Sequence, residues 1–192
     1  MLKIKRMNKI LLLVGVLIAS LGAVSQEKIN WISMQEALDL SNKKGNTKKI
    51  FIDAYTDWCG WCKKMDASTF TDPNVIKFMN ENYLAVKFDA ESYDTITYRG
   101  QKFYNSQPKP DKKSRRGTYH YFAAALLDGQ LSYPSYIIMD ENQNRLAIYK
   151  GFMQTEPFLS VIKFFGYEQH QQFSQYLYGE FERTKQASQD KK

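Results

Sequence analysis

Apolar and polar positions repeat with different periods along the chain, and each change of period marks an element. Ser33-Met34-Gln35-Glu36 has the S-x-x-E form of a capping box and predicts a helix of about three turns through Leu40. Lys49-Ile50-Phe51-Ile52-Asp53-Ala54-Tyr55 is short, β-branched and aromatic, which reads as a buried strand. Residues 58–70 suit a helix. Thr71-Asp72-Pro73 stops it and starts another, since Asp caps exposed amides and Pro is preset for a first helical turn. That helix runs to about Asn80, and a strand follows at 84–88. Thr95-Ile96-Thr97-Tyr98 and Lys102-Phe103-Tyr104 flank Gly100 and predict a hairpin. Residues 107–117 carry Pro108, Pro110 and five basic residues (Lys109, Lys112, Lys113, Arg115, Arg116), the composition of a mobile loop. A helix over 119–127 ends at Asp128-Gly129, and strands at 136–139 and 145–149 make a second hairpin. Residues 155–165 form an amphipathic helix with Phe158, Val161, Ile162 and Phe165 on one face, and a last helix covers 169–181 before a polar tail.

This order predicts an α/β domain with a mixed central sheet flanked by helices. The connection from the strand at 49–55 to that at 84–88 is long enough for a right-handed parallel crossover. With 192 residues, 43% of them apolar and 15% aromatic, the chain can bury one core, and wholesale disorder is excluded.

The formal charge of +7 hints at nucleic-acid or membrane binding until its location is considered. Lys3, Lys5, Arg6 and Lys9 precede an apolar stretch from Ile10 to Val24, with Ala23 and Ser25 at the small-residue positions of a cleavage site. Residues 1–25 therefore read as a signal peptide cut before Gln26, too short in apolar length to span a bilayer comfortably. Losing those four charges lowers +7 to +3. The remainder, 26–192, reads as one domain that is periplasmic or secreted. No nucleic-acid partner is expected, and membrane contact only through the leader during export. The basic loop reads as a solvated stretch.

Only two cysteines exist, Cys59 and Cys62, and export puts them where disulfides persist. Cys59-Gly60-Trp61-Cys62 follows a predicted buried strand and opens a predicted helix, the setting of a redox C-x-x-C. Helix N-termini offer unpaired N–H groups and partial positive charge, and both favour a thiolate. The first cysteine is expected at the exposed lip of the helix and the second one turn inside. That makes Cys59 the attacking nucleophile and Cys62 the resolving thiol. A structural disulfide would close too small a loop to restrain the unfolded chain much. A zinc half-site would need further ligands, and His120 and His170 are not spaced as a pair.

The segment from Ile50 through Trp58-Cys59-Gly60-Trp61-Cys62-Lys63, with Asp53 six residues before the first cysteine, resembles the active-site segment of the thioredoxin-like superfamily. Phe70-Thr71-Asp72-Pro73-Asn74-Val75 resembles a secreted bacterial branch of it. The resemblance implies a thioredoxin-like fold with a core at about 47–166. The insertion before the cis-proline region and a helical extension at 167–192 would be additions to it. It implies a disulfide oxidoreductase with no metal and no organic cofactor. Its partners would be protein thiols and disulfides, together with an upstream electron donor or acceptor.

Asp53 is implied to relay protons to Cys62; a carboxylate inside an apolar strand is expensive to bury and its pKa should rise. Lys87 matches a lysine near that aspartate, or is a solvated edge residue. Trp58, Gly60, Trp61, Tyr133, Pro134 and Gly151 are implied to contact substrate, with Pro134 in the cis form and its backbone pairing an extended segment. Trp61 replaces a proline of the family and adds an aromatic surface beside the sulfurs. The contrasting possibility is a non-catalytic binding module that docks a partner through the basic loop.

Overall fold

The computed structural model describes residues 27–108 and 117–189. The leader and the basic stretch at 109–116 lie outside the described residues. In chain order the strands are β1 (Trp31–Ile32), β2 (Lys49–Tyr55), β3 (Tyr83–Asp89), β4 (Ile96–Tyr98), β5 (Gln101–Phe103), β6 (Ser135–Met139) and β7 (Arg145–Lys150). Five of them form one mixed sheet in the order β1-β3-β2-β6-β7. The first three of that order are mutually parallel, while β6 runs antiparallel to β2 and β7 antiparallel to β6. The predicted first hairpin is present as β4 and β5, a separate two-stranded sheet.

Central β2 is buried on both faces, which explains its unbroken apolar run. Ile50, Ile52 and Ala54 point into one core with Val86, Phe122 and Ile137. Phe51 points into the other, among Met65, Phe70, Tyr136, Phe158 and Ile162. The two-residue strand period places Asp53 on the Phe51 face. Register sets it between Lys87 on β3 and Tyr136 on β6.

The helices refine the expected boundaries, each for a local reason. The capping box holds, with Ser33 Oγ accepting from Glu36 N, but α1 (Met34–Ser41) is nearer two turns than three. The single helix expected over 58–70 is instead α2 (Gly60–Ala67) followed by a 3-10 turn at Thr69–Thr71. Ser68 Oγ donates to the Lys64 carbonyl and Thr69 Oγ1 to the Met153 carbonyl, so the chain bends out of the helical path. Asp72 caps α3 (Pro73–Asn82), with Pro73 in the first turn, as expected. α4 (Tyr121–Leu126) starts late because the His120 ring caps it, Nδ1 accepting from Phe122 N at 3.0 Å. α5 (Thr155–Gly166) buries Phe158, Ile162 and Phe165, leaving Val161 half-buried. α6 (Gln169–Gln189) extends past the expected end at 181 and exposes Phe173, Tyr176, Leu177, Tyr178 and Phe181. The sheet also takes in β1, so the packed fold starts upstream of the core boundary expected near residue 47.

Candidate functional site

β2 ends at Tyr55, and a tight turn carries the chain into α2, bringing both cysteines just beyond the C-terminal end of the central strand. Cys59 and Cys62 form a disulfide. Cys59 is the N-cap of α2, its Sγ accepting from Cys62 N at 3.0 Å. That is the place where helix amides and the helix dipole favour negative charge on sulfur. Contrary to the expected exposed lip, Cys59 is 4% exposed and Cys62 2%. Exposure belongs instead to the flanking tryptophans, 42% for Trp58 and 57% for Trp61.

Each tryptophan pairs with an aromatic ring from another part of the chain. Trp58 meets Tyr133 edge-on, with centroids 6.1 Å apart, and Trp61 meets Phe152 at 5.6 Å. The Lys64 ammonium lies 4.9 Å from the centroids of both Trp61 and Phe152. These contacts bring the 133–134 and 151–152 segments beside the CGWC turn. The Tyr133–Pro134 bond is cis. Gly151 N donates to the Pro134 carbonyl at 2.8 Å and has φ +90°, a conformation that favours glycine. A Cβ at Gly60 would meet no heavy atom within 4 Å, so the space beside it is open.

Glu91 was missed by sequence reasoning: it is a buried carboxylate accepting from Trp58 Nε1 at 3.0 and 3.1 Å. It lies in a bend after β3, and no local pattern marks it. Phe152 carried no signal either, beyond following Gly151.

Asp53 is 1% exposed. Burial is the main force pushing its carboxyl up from the usual 3.8 to about 6, against the attraction of Lys87. Lys87 Nζ donates to Asp53 Oδ2 at 2.5 Å and also pairs with Asp66 on α2, so it is no solvated edge residue. Asp53 Oδ1 and the Tyr136 hydroxyl, both buried, have no hydrogen-bond partner among the described residues. The Tyr136 phenol is pushed well above its usual range by burial, with the Asp53 charge adding to it. Through Lys87, Asp53 is linked to Asp66 on α2, the helix that Cys59 caps. No group of metal-ligating side chains occurs among the described residues.

A family model described as "Thioredox_DsbH: Protein of unknown function, DUF255" matches residues 19–107. The thiol:disulfide interchange protein DsbD of Campylobacter jejuni is 35% identical over 60 residues, covering 31% of this chain and 10% of that protein. The chain thus spans about a tenth of the length of the curated relatives it matches. Among solved structures, a thioredoxin-fold protein from Helicobacter pylori aligns with TM-score 0.50 and 16% identity, over 66% of this chain and 73% of its own. A thioredoxin from Thermus thermophilus aligns with TM-score 0.50 and 13% identity, over 71% and 85%. With its sheet order, its cis-proline and a CGWC disulfide capping the helix after the central strand, the chain has a thioredoxin-like fold.

Proposed function

We propose that this protein is an exported thiol–disulfide oxidoreductase exchanging its Cys59–Cys62 pair with cysteines of other proteins. The observation that carries the reading is the Cys59 Sγ at the head of α2, accepting the Cys62 amide, with the buried Asp53 carboxylate on the sheet face that packs that helix. The similarity to DsbD, itself named as a thiol:disulfide interchange protein, supports the same chemistry.

In the direction that reduces a substrate, the Cys59 thiolate attacks one sulfur of the substrate disulfide and expels the other as thiolate. A mixed disulfide forms. Cys62 then passes its proton to Asp53 and attacks the Cys59 sulfur, forming the Cys59–Cys62 bond and releasing the second substrate thiolate. The substrate gains two electrons and the protein dithiol loses them; solvent protonates the leaving thiolates. The reverse sequence oxidises a substrate dithiol. Either way the chemistry resides in two sulfurs and a carboxylate, so neither metal nor organic cofactor takes part. A second protein must return the pair to its starting state.

Trp58, Gly60, Trp61, Tyr133, Pro134 and Gly151 line the docking surface, where the backbone beside Pro134 pairs with an extended segment. Residues 1–25 act as a cleaved leader and 26–192 work in the periplasm or outside the cell, with the core running from β1 to about residue 166 and 167–192 as an extension. Mass spectrometry of protein from an exporting host should give a chain beginning at Gln26; a membrane-bound chain retaining 1–25 contradicts export as a soluble protein.

The reaction itself is tested with insulin as disulfide substrate and dithiothreitol as reductant. The wild type should accelerate reduction and Cys59→Ser should not. Equal rates for the two would remove the enzymatic reading.

A further inference from the structure

Asp66 lies four residues after Cys62, one helical turn further along α2, and its carboxylate shares the Lys87 ammonium with Asp53. Lys87 is held laterally by the rings of Trp31, Tyr55 and Phe70, with its nitrogen 5.1–5.2 Å from their centroids. Asp53 is closed off from water, whereas Asp66 is exposed. Both Lys87 and Asp66 border an open cavity of about 410 Å³, together with Trp31, Phe70, Thr71 and Ile76. Lys87 thus links the buried carboxylate to exposed Asp66 and to this cavity.

We propose that Asp66 is a positioning residue that shares the Lys87 ammonium with Asp53, so that Lys87 neutralises Asp53 only in part, and that Asp66 forms the outer end of the Asp53 proton route. The kinetic part rests on the exchange reaction proposed above; the electrostatic part does not. Like charge destabilises like charge, so the Asp66 carboxylate favours the protonated form of Asp53, while the ammonium favours the ionised form. The other titratable group beside Asp53 is the neutral Tyr136 hydroxyl on the neighbouring strand β6. Glu27 and Lys28 stand at the cavity with opposite charges. Asp66 is therefore the one carboxylate that shares Lys87 with Asp53 among the described residues.

Two variants should move Asp53 in opposite directions. Asp66→Asn removes the competing charge and should lower the Asp53 titration midpoint by roughly half to one pH unit. Lys87→Met removes the attraction and should raise it. Asp66→Glu should restore wild-type behaviour. The first readout is carboxyl-carbon NMR of Asp53 in the full domain, which needs no activity. The second is the pH dependence of mixed-disulfide resolution in single turnover, whose acidic limb should follow the same midpoint, down in Asp66→Asn and up in Lys87→Met. An unchanged NMR midpoint in Asp66→Asn overturns the proposal. A shifted midpoint supports the positioning of Lys87 by Asp66. If that shift occurs while Asp53→Asn leaves resolution kinetics unaltered, the relay fails, and Asp66 retains only its effect on Asp53 titration. If Asp53→Asn alters the kinetics but Asp66→Asn does not, Asp66 has no part in the proton route.

Discussion

Replacing Asp53 by Asn should make the protein more stable at neutral pH, and by an amount that depends on pH. The Asp53 carboxyl is held at about 6 in the fold against an ordinary 3.8, chiefly by burial. A group whose pKa is raised by folding binds more protons in the native state, so stability falls as pH rises through the interval between the two values. Below about pH 4 both states are protonated and the carboxyl costs nothing extra. Above about pH 7 the full difference applies, about 3 kcal/mol. Lys87 is not orphaned by the substitution, because Asp66 still pairs with it. Any fixed penalty from fitting an amide into the site is independent of pH, so the slope is the diagnostic. Chemical unfolding of the oxidised domain, measured from pH 4 to 8, should show the Asp53→Asn variant gaining about 3 kcal/mol on the wild type across that range. Near pH 7 the difference corresponds to roughly 6–12 °C in Tm. Parallel stability curves for the two proteins would refute the buried-charge reasoning.

His120 should contribute a slope of the opposite sign. Burial holds its pKa below the usual value, while Nδ1 accepts from Phe122 N and Nε2 donates to the Asp94 carbonyl, so the fold needs the neutral ring. Stability should fall as pH drops through about 6.5, and His120→Asn, which keeps a helix cap, should flatten that loss in the same unfolding series. Gly151→Ala should cost about 1–2 kcal/mol in unfolding free energy from its φ of +90° and should slow exchange with protein substrates. Trp61→Ala removes the exposed wall supported by Phe152 and should slow exchange with proteins while leaving the rate with a small thiol nearly unchanged; equal losses for both would place Trp61 outside the docking surface.

Much of the fold was legible because the signals were local. The apolar run at 49–55 coincides with β2, and Ser33, Asp72 and Pro73 start the helices they were expected to start. The C-x-x-C turn and the charged residue inside β2 pointed to the site from sequence alone. What escaped depends on contacts between distant segments. Two-residue β1 has no period to detect, and its strand character comes from pairing with Ala85 and Val86. The break at Ser68 depends on Thr69 reaching Met153, and the late start of α4 on His120 reaching Asp94. Glu91 and Phe152 became visible only when Trp58 and Trp61 were seen resting against them. Asp66 carried no signal of its own in the sequence, since its link to Lys87 joins α2 to β3.

The central claim is that Cys59 attacks and Cys62 resolves. Single-cysteine variants with Cys62→Ser and with Cys59→Ser, expressed with the leader intact, test it when proteins captured as mixed disulfides are compared on non-reducing gels. Cys62→Ser should accumulate mixed disulfides through Cys59, because no thiol remains to release them, and the captured proteins would identify the partners. Cys59→Ser should capture almost none, since Cys62 lies one turn inside α2 and is not the sulfur at the helix cap. Equal capture by both variants would contradict the assigned roles, and capture by neither would contradict thiol–disulfide exchange as the function.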